Sequence, residues 1–267
     1  MLPHVISFSE KENKKFFSLF LCVFASLRFN GFFPFFPCAF APPREQLFFY
    51  PRASASLREY CFSGASRMTV AVIDSGGANL GSVLHALHRL GAECILTSSA
   101  DDIRRADRVI LPGVGSAGAA MQALAQAGLV ETIRALTQPV LGICLGLQLL
   151  YEYSDEGQTT CLGLIPGRVT RLATDPDLRL PHMGWNQLDW LDRNDPLAAG
   201  LSGDEWFYFV HSYGAPVDNA VACSDHGQVF AAVVRHNNFA ACQFHPEKSA
   251  APGARLLANF LQQPLTV

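Results

Sequence analysis

Cys144 stands in the segment PVLGICLGLQLL (139–150), two residues after Gly142 and two before Gly146. An apolar run ends at Ile143, and a helix-forming run, Leu147 to Tyr153, follows. A strand that enters a helix through one residue turns sharply, and close packing there favours glycine on both sides. The turn lifts the central side chain to the edge of the sheet at a helix N-terminus. Free N–H groups and the helix dipole at that point favour a thiolate over a thiol. The backbone N–H of Leu145 is placed to meet an oxyanion. A lone cysteine is more often a small buried apolar residue. The spacing separates Cys144 from Cys94, Cys161, Cys223 and Cys242, which read as ordinary interior thiols.

A cysteine nucleophile needs a base, and the base needs a group to orient it. CQFHPEKS (242–249) offers both. His245 ends an apolar strand and Glu247 lies two residues on. In extended backbone, side chains at i and i+2 share a face, and Pro246 keeps His245 out of the helical region. One imidazole nitrogen can then meet Glu247 while the ring faces Cys144. GVGSAG (113–118) is a glycine loop between a strand and a helix. As a dinucleotide fingerprint it fails, because it follows the third strand and the next strand carries no ribose-binding acid at its end. Its backbone N–H groups suit a developing negative charge instead. GGANLGS (76–82) has P-loop glycine spacing, but Ser82 stands where the phosphate-binding lysine belongs.

These residues need a parallel sheet to bring them together, and the pattern predicts one. VAVID (70–74), ECILT (93–97), RVILP (108–112) and PVLGI (139–143) read as short strands, the second and third as buried ones. Helical spacing runs through 79–90, closed by Gly91, and through 119–136 with a break near Gly128. Strand and helix in alternation imply a parallel sheet covered on both faces. Beyond about residue 160 the texture is strand-rich: GRVTRL, MGWNQLDW, WFYFVHSY, VFAAVVRH and FAACQF. A last helix spans 253–262. No internal repeat is visible.

Composition divides the chain at Met68. Residues 1–67 hold 14 of the 20 Phe, no Asp, eight Lys+Arg and four Glu, a net charge of +4. The remaining 200 residues carry twelve basic and nineteen acidic side chains, a net charge of −7. A mildly acidic domain has no electrostatic footprint for nucleic acid or an anionic membrane. FFSLFLCVFASL (16–27) is too short to span a bilayer, and the proline-broken stretch after it makes a poor signal peptide. The folded domain is expected to be 68–267, with 1–67 an unfolded extension or a wrongly assigned start. The eight cysteines show no C-x-x-C pair, which suits a reducing cytoplasm. His85, His88, His182, His211, His226 and His236 show no metal spacing, so neither metal nor cofactor is expected.

G-x-C-x-G with a later H-P-E resembles the class I, triad-type glutamine amidotransferases. PGVG (112–115), GICLGLQ (142–148), PHMGWN (181–186), FVHSY (209–213) and HPEKS (245–249) resemble in particular the glutaminase subunit of imidazole glycerol phosphate synthase, over residues 69–262. The chain departs from that family in SAGAAM after PGVG, where an aromatic is common, and in its first turn, SGGAN. The resemblance implies an α/β, flavodoxin-like amidotransferase fold: a central, mostly parallel sheet flanked by helices, with a strand-rich second half. It implies that Cys144 attacks the side-chain amide of L-glutamine, that His245 handles the protons and that Glu247 holds the imidazole. Leu145 and the loop Gly113, Val114 and Gly115 would stabilise the oxyanion. Gln148, Tyr208, Ser212 and Tyr213 would contact glutamine. Asn79, Trp185, Asn186 and Lys248 would face a separate cyclase subunit, the partner in a heterodimer, which takes the ammonia. A glutaminase of another pathway shares the triad without H-x-G-W-N and H-P-E-K-S; a cysteine peptidase of similar fold would need a peptide groove.

Overall fold

The computed structural model describes residues 68–76, 80–173 and 178–264. The expectations for 1–67, including Cys22, Cys38 and Cys61, and for Asn79 fall outside the described residues. The first half follows the predicted alternation: β1 (Thr69–Ile73), α1 (Leu80–Arg89), β2 (Glu93–Thr97), α2 (Ala100–Arg105), β3 (Arg108–Gly113), α3 (Ala117–Gln126), α4 (Val130–Arg134), β4 (Val140–Cys144) and α5 (Leu145–Leu149). The second half adds β5 (Tyr151–Ser154), β6 (Thr159–Thr160), β7 (Ile165–Arg171), β8 (His182–Gln187), β9 (Asp189–Trp190), β10 (Trp206–His211), β11 (Tyr213–Gly214), β12 (Ala220–Asp225), β13 (Val229–His236), β14 (Phe239–Cys242) and α6 (Ala250–Gln262).

Eight strands form the central sheet in the order β2-β1-β3-β4-β14-β13-β12-β9. The first five are mutually parallel and the last three antiparallel. This order explains the site. β4 and β14 are far apart in sequence yet adjacent and parallel, with Ile143 opposite Cys242. Their carboxyl ends therefore open on the same edge, where ligands sit in sheets of this kind. Two apolar layers cover the sheet, one built around Val72, Ile110, Leu141 and Phe244, the other around Ile73, Leu111, Val140 and Leu124.

Two local expectations change, and one short helix has no mark in the sequence. β2 is an edge strand with Ile95 and Leu96 exposed, not a buried one, because among the described residues no strand pairs with its outer side. The run Leu147–Tyr153 is not a helix throughout. Helix α5 stops at Leu149, and Tyr151, fully buried, pairs with Ile165 of β7. Packing of an aromatic, strand-favouring segment overrides its weak helical pattern. Helix α2 is too short to leave a clear period in the sequence; Ser99 caps it by accepting from the Asp102 N–H.

The glycines around Cys144 are set by contact. A Cβ on Gly142 would lie 2.8 Å from the Gly146 carbonyl oxygen, and one on Gly146 only 1.9 Å from the Leu111 carbonyl oxygen. Helix α5 thus begins directly against β3, with no room for a methyl group. Gly146→Ala is expected to destabilise the domain by about 3 kcal/mol, the upper part of the overpacking range, because the clash is with backbone. Denaturant unfolding of the purified variant checks this. Stability within about 1 kcal/mol of the parent, a fivefold change in the folding constant, would contradict it.

Among the described residues no helix is long and apolar enough to cross a membrane.

Candidate active site

Cys144 occupies the turn between β4 and α5 with φ 54° and ψ −107°, a conformation few non-glycine residues adopt. Such strain persists only where the surroundings impose it; here the packed glycines on either side do so. The thiol is buried at the floor of a cavity of about 360 Å³. It reaches the Val210 carbonyl at 3.7 Å. Because α5 is only five residues long, its dipole contributes less than that of a full-length helix, and the neighbouring side chains carry more of the electrostatics.

His245 follows β14 and faces the same cavity. Its Nδ1 lies 2.9 Å from Oε1 of Glu247, whose side chain is buried. The expected pairing holds, but not through an extended strand. His245 is extended at φ −100°, whereas Pro246–Lys248 forms a 3₁₀ turn that folds Glu247 back under the ring. Ser249 locks this turn: its hydroxyl donates to the His245 carbonyl at 2.7 Å and accepts the Tyr208 N–H at 2.9 Å. Burial works to lower the pKa of the imidazole. Hydrogen bonding to Cys144 and Glu247, together with their negative charge, outweighs it and raises the pKa to about 10.

An imidazole held in this way stays protonated through neutral pH, where a free histidine is losing its proton. Its favourable interactions are fully present below pH 6.5 and are lost as pH rises toward 10. In a titration followed by ¹³C NMR of histidine-labelled protein, the His245 signal is expected to move well above pH 6.5, and to fall in Cys144→Ala. A midpoint near 6.5 in the parent would refute the charged pair.

Val114, Gly115, Leu145, Gln148, Ser212, Tyr213 and Lys248 line the cavity with Cys144 and His245. Gly113 ends β3 opposite Cys144, where a Cβ would lie 2.8 Å from that of Leu145. Gln148 is buried, and both of its Nε2 protons are engaged, one by the Tyr213 carbonyl and one by Gln243 Oε1, each at 3.0 Å. Only its Oε1 remains for a ligand. Tyr208 does not line the cavity. Its carbonyl accepts the His245 N–H at 2.9 Å, and its ring packs edge-on to Trp185. Trp185 is half exposed on β8, beside Met183 and Trp206, which are 63% and 52% exposed. Lys248 is exposed at the rim.

Asn186 is tied inward: Nδ2 donates to the Asp225 carbonyl at 2.8 Å and lies 3.4 Å from His182 Nε2. His182 and His211, read only as histidines without metal spacing, form a buried pair, Nδ1 to Nε2 at 3.0 Å. Burial lowers their pKa values to about 4 and about 3, so both are neutral. His211 Nδ1 donates to the Tyr213 carbonyl, the same oxygen that Gln148 uses. Glu156, which no spacing singles out, lines the cavity and accepts the Ala117 N–H at 2.7 Å, holding the start of α3. Only its proximity in space reveals it. Among the described residues no cluster of three or more His, Cys, Asp or Glu could hold a metal.

A cysteine on a strained strand-to-helix turn, with a histidine and a carboxylate from the turn that follows the neighbouring parallel strand, is the arrangement expected of a triad-type amidotransferase. The chain belongs to that family: the model for glutamine amidotransferase class-I matches residues 71–263. Its relatives narrow the assignment. It is 54% identical to imidazole glycerol phosphate synthase subunit HisH of Xylella fastidiosa strain Temecula1, over 72% of this chain and 96% of that protein. It is 51% identical to subunit HisH 2 of Legionella pneumophila, with the same coverages. In fold it is similar to a glutamine amidotransferase of Thermotoga maritima, with TM-score 0.52 and 16% identity over 74% of this chain and 98% of that one.

Proposed function

We propose that the chain is the glutaminase subunit of imidazole glycerol phosphate synthase, releasing ammonia from L-glutamine for a cyclase subunit in cytoplasmic histidine biosynthesis. Cys144 sulfur attacks the side-chain amide carbon. The oxygen takes up negative charge beside the Leu145 N–H and the Gly113–Gly115 loop. As the tetrahedral intermediate collapses, the C–N bond breaks and His245 gives its proton to the departing nitrogen, leaving a glutamyl thioester. Neutral His245 then takes a proton from water as the water attacks the thioester. Glutamate leaves and the sulfur regains its electron pair. Glu247 keeps the imidazole turned toward the sulfur throughout.

The observation that carries this reading is the meeting of Cys144 from β4 and His245 from the turn after β14 at one cavity, with Glu247 bonded to the Nδ1 of that histidine. The exposed apolar face of Met183, Trp185 and Trp206 supports docking of the cyclase subunit there. Glutamine labelled with ¹⁵N at the side-chain amide tests the whole scheme. With cyclase and its nucleotide substrate, the label should enter the imidazole ring of the product. Ring nitrogen drawn only from free ammonia would count against it.

A further inference from the structure

Gln243 lies between β14 and His245 and is fully buried. Its backbone N–H is held by the Ala232 carbonyl at 2.9 Å, so its position is set by the sheet. Its carboxamide reaches the site. Nε2 lies 3.7 Å from Cys144 Sγ, within hydrogen-bond distance for sulfur, and Oε1 lies 3.0 Å from Gln148 Nε2.

The direction of this chain of amides follows from its end. The Tyr213 carbonyl can only accept, so the group of Gln148 that faces it is NH₂. That same NH₂ meets Gln243, so Gln243 turns its oxygen to Gln148 and its NH₂ to the sulfur. A flipped Gln243 would set NH₂ against NH₂ and a carbonyl oxygen against an anionic sulfur. The backbone carbonyl thus polarises two buried amides toward Cys144.

We propose that Gln243 is a catalytic residue of the glutaminase reaction: its side-chain amide donates to the sulfur of Cys144, and Gln148 holds it in that direction. The role rests on the reading of Cys144 as the nucleophile. It acts at two stages. Before attack, the donor favours the thiolate over the thiol. In thioester hydrolysis, the sulfur leaves as a thiolate and the same donor receives it. The amide transfers no proton, which remains the task of His245.

The experiment compares the parent with Gln243→Leu and Gln243→Glu, each as the full chain in complex with the cyclase. Iodoacetamide alkylation of the Cys144 peptide is followed by mass spectrometry from acidic to alkaline pH, with circular dichroism as the check on folding. On the acid limb of the profile the Leu variant should alkylate about tenfold more slowly at a given pH, the effect of one lost hydrogen bond to a charged acceptor. Its limiting alkaline rate should match the parent's. The Glu variant, with a carboxylate against the sulfur, should be slower still on that limb. Folded variants that keep the parental profile would overturn the proposal, as would a loss that persists equally at the alkaline limit.

If neither variant folds, the parent protein decides. With ¹⁵N-labelled glutamine residues, one side-chain amide should shift when Cys144 is alkylated and should differ in Cys144→Ala. No such amide would overturn the role. If the parental Cys144 is not protected from alkylation by glutamine, and Cys144→Ala keeps its glutaminase activity, the assignment of the nucleophile fails, not that of its donor.

Discussion

Replacing Cys144 by alanine is expected to lower glutamine hydrolysis by about 10⁴-fold or more while leaving the fold intact. Triad members act as a unit, and loss of the nucleophile removes the covalent route altogether. Little packing depends on the sulfur, which meets the Val210 carbonyl and Gln243 Nε2, each at 3.7 Å. The strained turn is imposed by Gly142 and Gly146, which the variant keeps. A cyclase bound to this variant should still turn over with added ammonia, and better at alkaline pH, where more of it is uncharged. Glutamate release measured by coupled assay, beside ammonia-dependent cyclase activity, separates the two. Glutaminase activity retained in the variant would remove Cys144 from the mechanism.

The chain by itself is expected to hydrolyse glutamine slowly, and binding of the cyclase with its nucleotide ligand to raise the rate by about 10² to 10³. One well-placed oxyanion donor accounts for a change of that size. The structure narrows where such a donor could turn. Of the three glycines in GVGSAG, Gly113 is packed on Leu145 and Gly118 lies inside α3. Ser116 caps α3, and Glu156 holds the Ala117 N–H. Only Gly115, at φ 96° with nothing within 4 Å of a Cβ position, remains open. The part expected to move is therefore the Val114–Gly115 peptide, a small element that a docked partner could bias. Steady-state glutamate release with and without the cyclase and its ligand measures the coupling. A fast rate in the isolated chain, unchanged by the partner, would show that the donor is already in place.

The candidate triad, the parallel first half of the sheet and the strand-rich second half are legible in the sequence because each leaves a local mark. Gly142 and Gly146 report the crowding around a sharp turn, Pro246 fixes the backbone after His245, and continuous apolar runs report buried strands. What the tertiary structure alone decides lies between segments far apart in the chain. The adjacency of β4 and β14 brings Cys144 to His245 across roughly a hundred residues. The close approach of Gly146 to Leu111, the early end of α5 where Tyr151 joins β7, and the exposure of Ile95 and Leu96 on an edge strand all depend on which neighbour packs where. Gln243, His182, His211 and Glu156 had no spacing to single them out. Hydrogen bonds between side chains act over a few ångströms in space and leave no period in sequence, so only the packed sheet assigns these residues to the site.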